Sequence, residues 1–215
     1  VLVLGYGVAS TAYVSVLDFN KIKTSVIGSP FDKKNIKNIK NKNVNKIFNF
    51  NFSKNINFFY NDELSLIDFK SINLIIIGTN TNGIPWITKV LNQIKRNCPI
   101  LLITKGIMNY KNKIIPISKY ISLKCSNNKV VMASGPCLAK ELINKSHTRT
   151  LFASKKVAYA KYIKKIIENE YYHPEITKDI QGAEICSAIK NIYAIVIGSS
   201  QGQVGSLSKK KDDNY

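Results

Sequence analysis

The sequence predicts an α/β fold, a mostly parallel sheet with helices on both faces, followed by the start of an all-helical domain. Three observations predict it. Short, largely apolar runs at residues 1–4, 72–77 and 100–103 have the composition of strands buried on both faces. They alternate with segments of helical spacing, the order that builds parallel β-α-β units. The first run passes directly into Gly5-Tyr6-Gly7 and then a helix, the strand–turn–helix order of a dinucleotide phosphate site.

Each element follows from its local pattern. Residues 1–4 are the first strand, 8–18 the first helix and 23–27 the second strand. Residues 29–62 are polar with scattered Phe and no clear period, so a loop with short elements is expected. After strand 72–77, Pro85 stands where a first helical turn tolerates proline. Val90, Leu91 and Ile94 give 85–96 helical spacing. Strand 100–103, helix 115–123, strand 129–132, helix 136–143 and strand 150–153 continue the alternation. In helix 157–168, Ile163, Ile166 and Ile167 mark the inward face. The last element is a long apolar helix from Ile180 to Gly198, with Lys190 and Asn191 in its middle. A lysine there either snorkels to solvent or is held for a purpose. The expected division is a Rossmann-like nucleotide-binding domain over 1–178 and the beginning of a helical domain over 179–215.

Composition narrows the functions. A chain of 215 residues, 45% hydrophobic, holds one α/β domain with some length left over. Cys98, Cys125, Cys137 and Cys186 lie far apart, with no Cys-x-x-Cys pair or His/Cys cluster. Free thiols in a reducing compartment are expected, and no metal site. His147 and His173 have no motif around them and receive no role. The formal charge of +19 raises nucleic acid or an anionic membrane as partner. Lysine is abundant together with Asn, Ile, Phe and Tyr, as in residues 35–43, and these are residues of AT-rich codons. The lysines are spread over many segments, which argues against a dedicated nucleic-acid surface. No signal peptide is visible, and the run 192–197 is too short to span a bilayer. A cytoplasmic protein without membrane insertion is expected. The chain starts at Val1 and stops soon after a helix, and it reads as a piece of a longer protein.

Four motifs carry the chemistry. In Gly5-Tyr6-Gly7-Val8-Ala9-Ser10, the first glycine permits a tight turn and the second lets backbone approach a pyrophosphate. Ser10 is small enough for the third position. Strand 23–27 ends in Gly28-Ser29-Pro30, with no carboxylate before Asp32 and with Lys33 and Lys34 after it. That favours NADP or use of both cofactors. Thr104-Lys105-Gly106 ends a strand at the edge where open sheets bind ligands. Ser134-Gly135-Pro136-Cys137 ends another strand and opens a helix.

Taken together, Gly5–Thr11, Thr104-Lys105-Gly106, Ser134–Glu141 and Gly182-Ala183-Glu184 running to Lys190-Asn191 and Gly198 resemble the NAD(P)-dependent glycerol-3-phosphate dehydrogenases of bacterial type. The resemblance covers nearly the whole chain. It implies that Lys190 is the catalytic lysine and Asn191 its substrate-contacting neighbour. It implies that Lys105 touches substrate and nicotinamide, that Gly135 and Cys137 line the substrate, and that Ala139 meets the cofactor. Gly5, Gly7, Val8 and Ala9 meet the pyrophosphate. The implied reaction interconverts sn-glycerol 3-phosphate and dihydroxyacetone phosphate with NAD or NADP, supplying the phospholipid backbone, in an enzyme that is a candidate homodimer. The lysine base is expected to have its pKa lowered by burial in the apolar helix and by Lys105. The chain departs from the family pattern at Ala9, Ser10, Ser29, Thr79-Asn80-Thr81 and Cys137. The family's Asp and Ser-Arg-Asn cluster fall in a further third of its length, so this piece alone is expected to lack the whole site. Two other readings stand beside it. One is a dehydrogenase of 6-phosphogluconate or ketopantoate reductase type. The other is a basic nucleic-acid-binding or scaffold protein on a decayed Rossmann fold.

Overall fold

The computed structural model describes residues 1–42, 44–45, 48–125 and 129–212. In chain order the elements are β1 (Leu2–Leu4), α1 (Val8–Phe19), β2 (Thr24–Ile27), α2 (Lys33–Lys42), β3 (Val44–Asn45), β4 (Phe50–Asn51) and β5 (Ile56–Phe59). There follow β6 (Ile75–Ile77), α3 (Ile84–Ile94), β7 (Ile100–Leu102), β8 (Ile107–Tyr110), β9 (Lys113–Pro116) and α4 (Ile117–Lys124). The last are β10 (Val130–Ser134), α5 (Ala139–Ile143), β11 (Thr148–Ala153), α6 (Val157–Ile167), β12 (Tyr172–Thr177) and α7 (Ile180–Asp212).

Eight strands form the main sheet in the order β12-β11-β10-β7-β6-β1-β2-β5. All neighbours are parallel except β10 and β11. The chain leaves β1 for β2 and β5 on one side, then crosses to β6 and β7 on the other. The reversal beside β1 opens a crevice at the carboxyl ends of the strands, where sheets of this kind take ligands. The connection through α5 brings the chain back from the end it left, so β11 runs against β10 and its first residues lie beside that crevice.

The alternation of side chains along each strand builds two cores. Leu2 and Leu4 join Ile75, Ile77, Ile100 and Leu102 under α3, α4 and the start of α7. Val3 joins Val26, Ile76, Leu101 and Val131 under α1, α2 and α6. The expected helices on both faces are therefore present, and the continuous apolar runs reflect burial from both sides.

Three segments depart from the sequence reading. Residues 33–42 form a helix because Ile36 and Ile39, one turn apart, are buried although lysine and asparagine surround them. Residues 107–116 form the antiparallel β8–β9 hairpin, so the helix expected from 115 starts at Ile117. The unforeseen β12 carries Pro174, which the edge of the sheet tolerates because one side of an edge strand needs no ladder donor.

The first two turns of α7 are fastened to the sheet. Asp179 Oδ1 accepts from the Gly182 amide at 2.8 Å and caps the helix start. Helix α4 follows Pro116, which supplies no side-chain cap. The buried Glu184 carboxylate takes that role: Oε1 accepts from the Ser118 amide at 2.9 Å and Oε2 from the Ser118 hydroxyl. Ser134, last residue of β10, donates to the Ala183 carbonyl at 3.1 Å and shares a 2.6 Å contact with the Ser187 hydroxyl. Further along, Ile192, Tyr193, Ile195, Val196 and Ile197 are exposed. As a helix, residues 180–203 are long and apolar enough to cross a membrane by length and composition, which the short run 192–197 alone is not.

Burial raises the Glu184 pKa above its ordinary 4.5, against the two Ser118 hydrogen bonds that lower it. An acid with a raised folded pKa binds its proton more tightly in the folded chain. The stability this contributes is complete below the ordinary value and is lost as pH climbs through the raised one. Stability of the parent against urea is expected to fall with rising pH just above 4.5, and Glu184→Gln is expected to flatten that dependence. Equal pH slopes for the two proteins would contradict the assignment.

Candidate active site

The glycine turn is set by backbone constraints. Gly5 has φ +95°, and a Cβ there would press on the Thr79 side chain and its backbone amide. Its own amide donates to the Ile27 carbonyl at 2.8 Å, locking the turn to β2. The Tyr6 amide donates to Asp32 Oδ2 at 2.9 Å, and Asp32 also accepts from the Ser29 amide and hydroxyl. The carboxylate that the sequence places too late in the chain thus folds back onto the glycine turn.

Helix α1 starts at Val8 with Gly7 as its N-cap, and no side chain caps it. A Cβ on Gly7 would have the Gly78 carbonyl 3.9 Å away as its nearest neighbour and would otherwise enter open space. An uncapped helix N-terminus behind an open approach suits the pyrophosphate of a dinucleotide. Ser10, in the third-glycine position, is fully buried and donates to the Gly78 carbonyl at 2.8 Å. It fastens the helix to the end of β6, so its side chain is used rather than merely tolerated.

A cleft of about 70 Å³ opens beside this turn. Ala9, Lys105, Gly135, Cys137 and Ala139 all line it. Three of the four segments singled out in the sequence therefore converge here, and the fourth, Gly182 to Asn191, does not line this cleft. Lys105 follows β7; the preceding Thr104 hydroxyl donates to the Thr79 carbonyl at 2.8 Å and fixes that loop. Gly135 has φ +117°, letting the chain turn sharply from β10 toward α5. Cys137 is half-buried, and burial pushes its thiol pKa up, which keeps the thiol protonated and unreactive. Ala139 opens α5, whose start is capped by Glu141: Oε2 accepts from the Leu138 amide and the Thr148 hydroxyl, both at 2.9 Å.

Lys190 is exposed, and this corrects the expectation of a buried lysine. Ile185 and Ile195, apolar neighbours on the same helix, are 53% and 68% exposed. The lysine whose pKa is lowered is Lys105, by partial desolvation first and then by the charge of Lys190. Lys190 also helps to lower the Glu141 pKa, after the Leu138 and Thr148 hydrogen bonds. Its charge thus reaches both walls of the cleft. Asn191 follows on the same helix, and its side chain lies outside the described residues.

Residues 1–160 match the family model described as the NAD-dependent glycerol-3-phosphate dehydrogenase N-terminus. The chain belongs to that family. Over 205 residues it is 28% identical to the NADP(+)-dependent glycerol-3-phosphate dehydrogenase of Archaeoglobus fulgidus, covering 94% of this chain and 60% of that one. Over 76 residues it is 42% identical to the glycerol-3-phosphate dehydrogenase [NAD(P)+] of Francisella philomiragia, covering 35% of this chain and 23% of the relative. The glycerol-3-phosphate dehydrogenase structure from Coxiella burnetii superposes with a TM-score of 0.80 at 24% identity, over 94% of this chain and 60% of that one. The chain thus spans about three-fifths of the length of two of these relatives.

Several residues of this dehydrogenase-family cleft escape the sequence reading. Tyr13 lies one helical turn beyond Ala9 and shares a 2.8 Å hydroxyl contact with Tyr172. The i, i+4 spacing from Ala9 was the available signal. Thr150 lines the cleft with a buried hydroxyl beside Tyr13, Cys137 and Tyr172. Nothing local marks it, because its place depends on β11 pairing antiparallel with β10.

Gly7→Val is expected to fold normally, since no protein atom crowds the added carbons, and to lose affinity for NADH and NADPH alike. Fluorescence titration checks this, and unchanged affinity would place the pyrophosphate elsewhere. Asp32→Asn is expected to weaken both cofactors together by loosening the turn. A loss confined to NADH would instead make Asp32 a ribose ligand.

Proposed function

We propose that this chain is the nucleotide-binding domain, 1–178, and the first helical segment, 179–215, of an enzyme that interconverts sn-glycerol 3-phosphate and dihydroxyacetone phosphate. The observation that carries the reading is the single cleft that gathers Ala9, Lys105, Gly135, Cys137 and Ala139 beside the open end of α1. The names of the relatives, which include NAD and NADP enzymes, support either cofactor.

When bound, the nicotinamide supplies the hydride acceptor or donor. The chain's own residues do the rest. Gly5, Gly7 and the first amides of α1, at Val8 and Ala9, hold the pyrophosphate. Ala139, at the start of α5, meets the nicotinamide end. Gly135 and Cys137 shape the wall against which the three-carbon substrate lies. Lys105 hydrogen-bonds a substrate oxygen; its pKa is lowered by partial desolvation first and then by the positive charge of Lys190. That charge suits a phosphorylated substrate. Lys190 takes the C2 hydroxyl proton as the alcohol is oxidised, and in reduction returns it to the carbonyl oxygen at Nζ. Asn191 holds the substrate beside it.

In full-length protein, Lys190→Ala is expected to lower kcat by about 10²–10⁴, the usual worth of a positioned acid or base, while nucleotide affinity survives. Lys190→Arg is expected not to rescue, because arginine stays protonated. Lys105→Ala is expected to raise KM more than it lowers kcat. Steady-state assays with glycerol 3-phosphate decide this. Near-normal turnover of a folded Lys190→Ala protein would leave the mechanism without its base. A parent enzyme that acts on ketopantoate or 6-phosphogluconate, and not on glycerol 3-phosphate, would replace the substrate.

A further inference from the structure

A second and larger cavity, about 640 Å³, lies at the opposite end of the strands from the cleft. Val130, which opens β10, and Ser154, which follows antiparallel β11, are both on its wall. It is set among α4, the start of α6 and the first turns of α7.

Its charge is one-sided. Lys119, Lys129, Lys155 and Lys156 all line it. The one carboxylate on its wall, Glu184, is committed to the Ser118 amide and hydroxyl. The Lys129 ammonium donates to the Asn97 carbonyl at 2.8 Å and lies 5.6 Å from the centre of the Tyr159 ring. Lys156 approaches the same ring at 6.0 Å, so two like charges converge on one aromatic side chain. The position of Lys155 and Lys156 adds to the imbalance. They precede α6, a helix of 11 residues with no acidic residue in its first turn and no side-chain cap, so two cations sit at the positive end of its dipole. Lysine is common throughout this chain, and composition explains lysines on open surface. Here Lys119, Lys155 and Lys156, which are exposed, and Lys129, which is half-buried, share one concave wall.

We propose that this cavity binds a small polyanion carrying two or more phosphate groups. Phosphate oxygens accept from ammonium groups and from hydroxyls such as that of Ser122, which also faces the cavity. A single phosphate would fill a minor part of the volume. The site also reaches the proposed catalytic helix. Gln181 and Glu184 of α7 line it, and Lys190 lies six residues beyond Glu184, about 9 Å along the helix. A bound polyanion therefore steadies the same first turns of α7 that position Lys190.

The test is isothermal titration of the full chain at low salt with tripolyphosphate, ATP and inorganic phosphate. Tripolyphosphate is expected to bind one to one, and inorganic phosphate much more weakly. Lys155→Glu/Lys156→Glu is expected to weaken tripolyphosphate by at least about tenfold, whereas Lys161→Glu/Lys165→Glu, an equal charge change on exposed positions of α6 outside the cavity wall, keeps nearly all the affinity. The first variant is also expected to melt no lower than the parent without ligand, because it relieves the dipole. Equal loss in both variants would reduce the effect to net charge and overturn the proposal, as would no binding by the parent. Inorganic phosphate binding as tightly as tripolyphosphate would overturn the ligand class. ATP binding that ignores Lys155→Glu/Lys156→Glu, with no tripolyphosphate binding, would assign the nucleotide to the glycine turn and leave this cavity without a ligand.

Discussion

The docking of α7 across the sheet is the constraint on which the site depends. Two contacts set it: Glu184 closes the start of α4, and Ser134 ties the end of β10 to Ala183 and Ser187. A buried carboxylate left without partners costs several kcal/mol, so Glu184 must find donors. Pro116 leaves the α4 amides without a side-chain cap, and Ser118 offers both an amide and a hydroxyl. Each end satisfies a need of the other. The outcome is a helix whose rotation and height are fixed six residues before Lys190.

The cleft follows from topology in the same way. The chain reverses direction beside β1, which leaves a gap between the loops after β1 and β6. Gly78 closes the base of that gap, accepting from Ser10 and donating its amide to Leu4. The antiparallel return into β11 brings Thr150 to the same end of the sheet as Gly135 and Cys137. Loops distant in sequence are thus held around one small volume by strands with little freedom to move.

Lys105 and Lys190 illustrate how placement changes the meaning of a residue. Both are lysines in a chain full of lysine, and both belong to motifs that resemble the family. Lys105 is partly desolvated in the cleft, and its pKa falls. Lys190 stands on a helix whose apolar neighbours are themselves exposed. An apolar neighbourhood in sequence is an apolar environment only when other elements cover it, and on this helix they do so for about two turns.

The sequence by itself determined the alternating architecture, because strands buried on both faces must be continuously apolar and helices must repeat near 3.6 residues. It also determined the glycine turn and the strand ends at Lys105 and Gly135, which leave local marks, while Cys137 and Ala139 were reached only through the family resemblance. It hid α2, whose two buried isoleucines are diluted by lysine and asparagine, and β12, whose proline reads against a strand. Tertiary structure alone decided that Asp32 braces the glycine turn, that Ser10 serves as a fastener, that Thr150 reaches the cleft and that Lys190 is exposed. Each of these depends on what another segment places opposite the residue, and a pattern confined to neighbours in sequence carries no information about that.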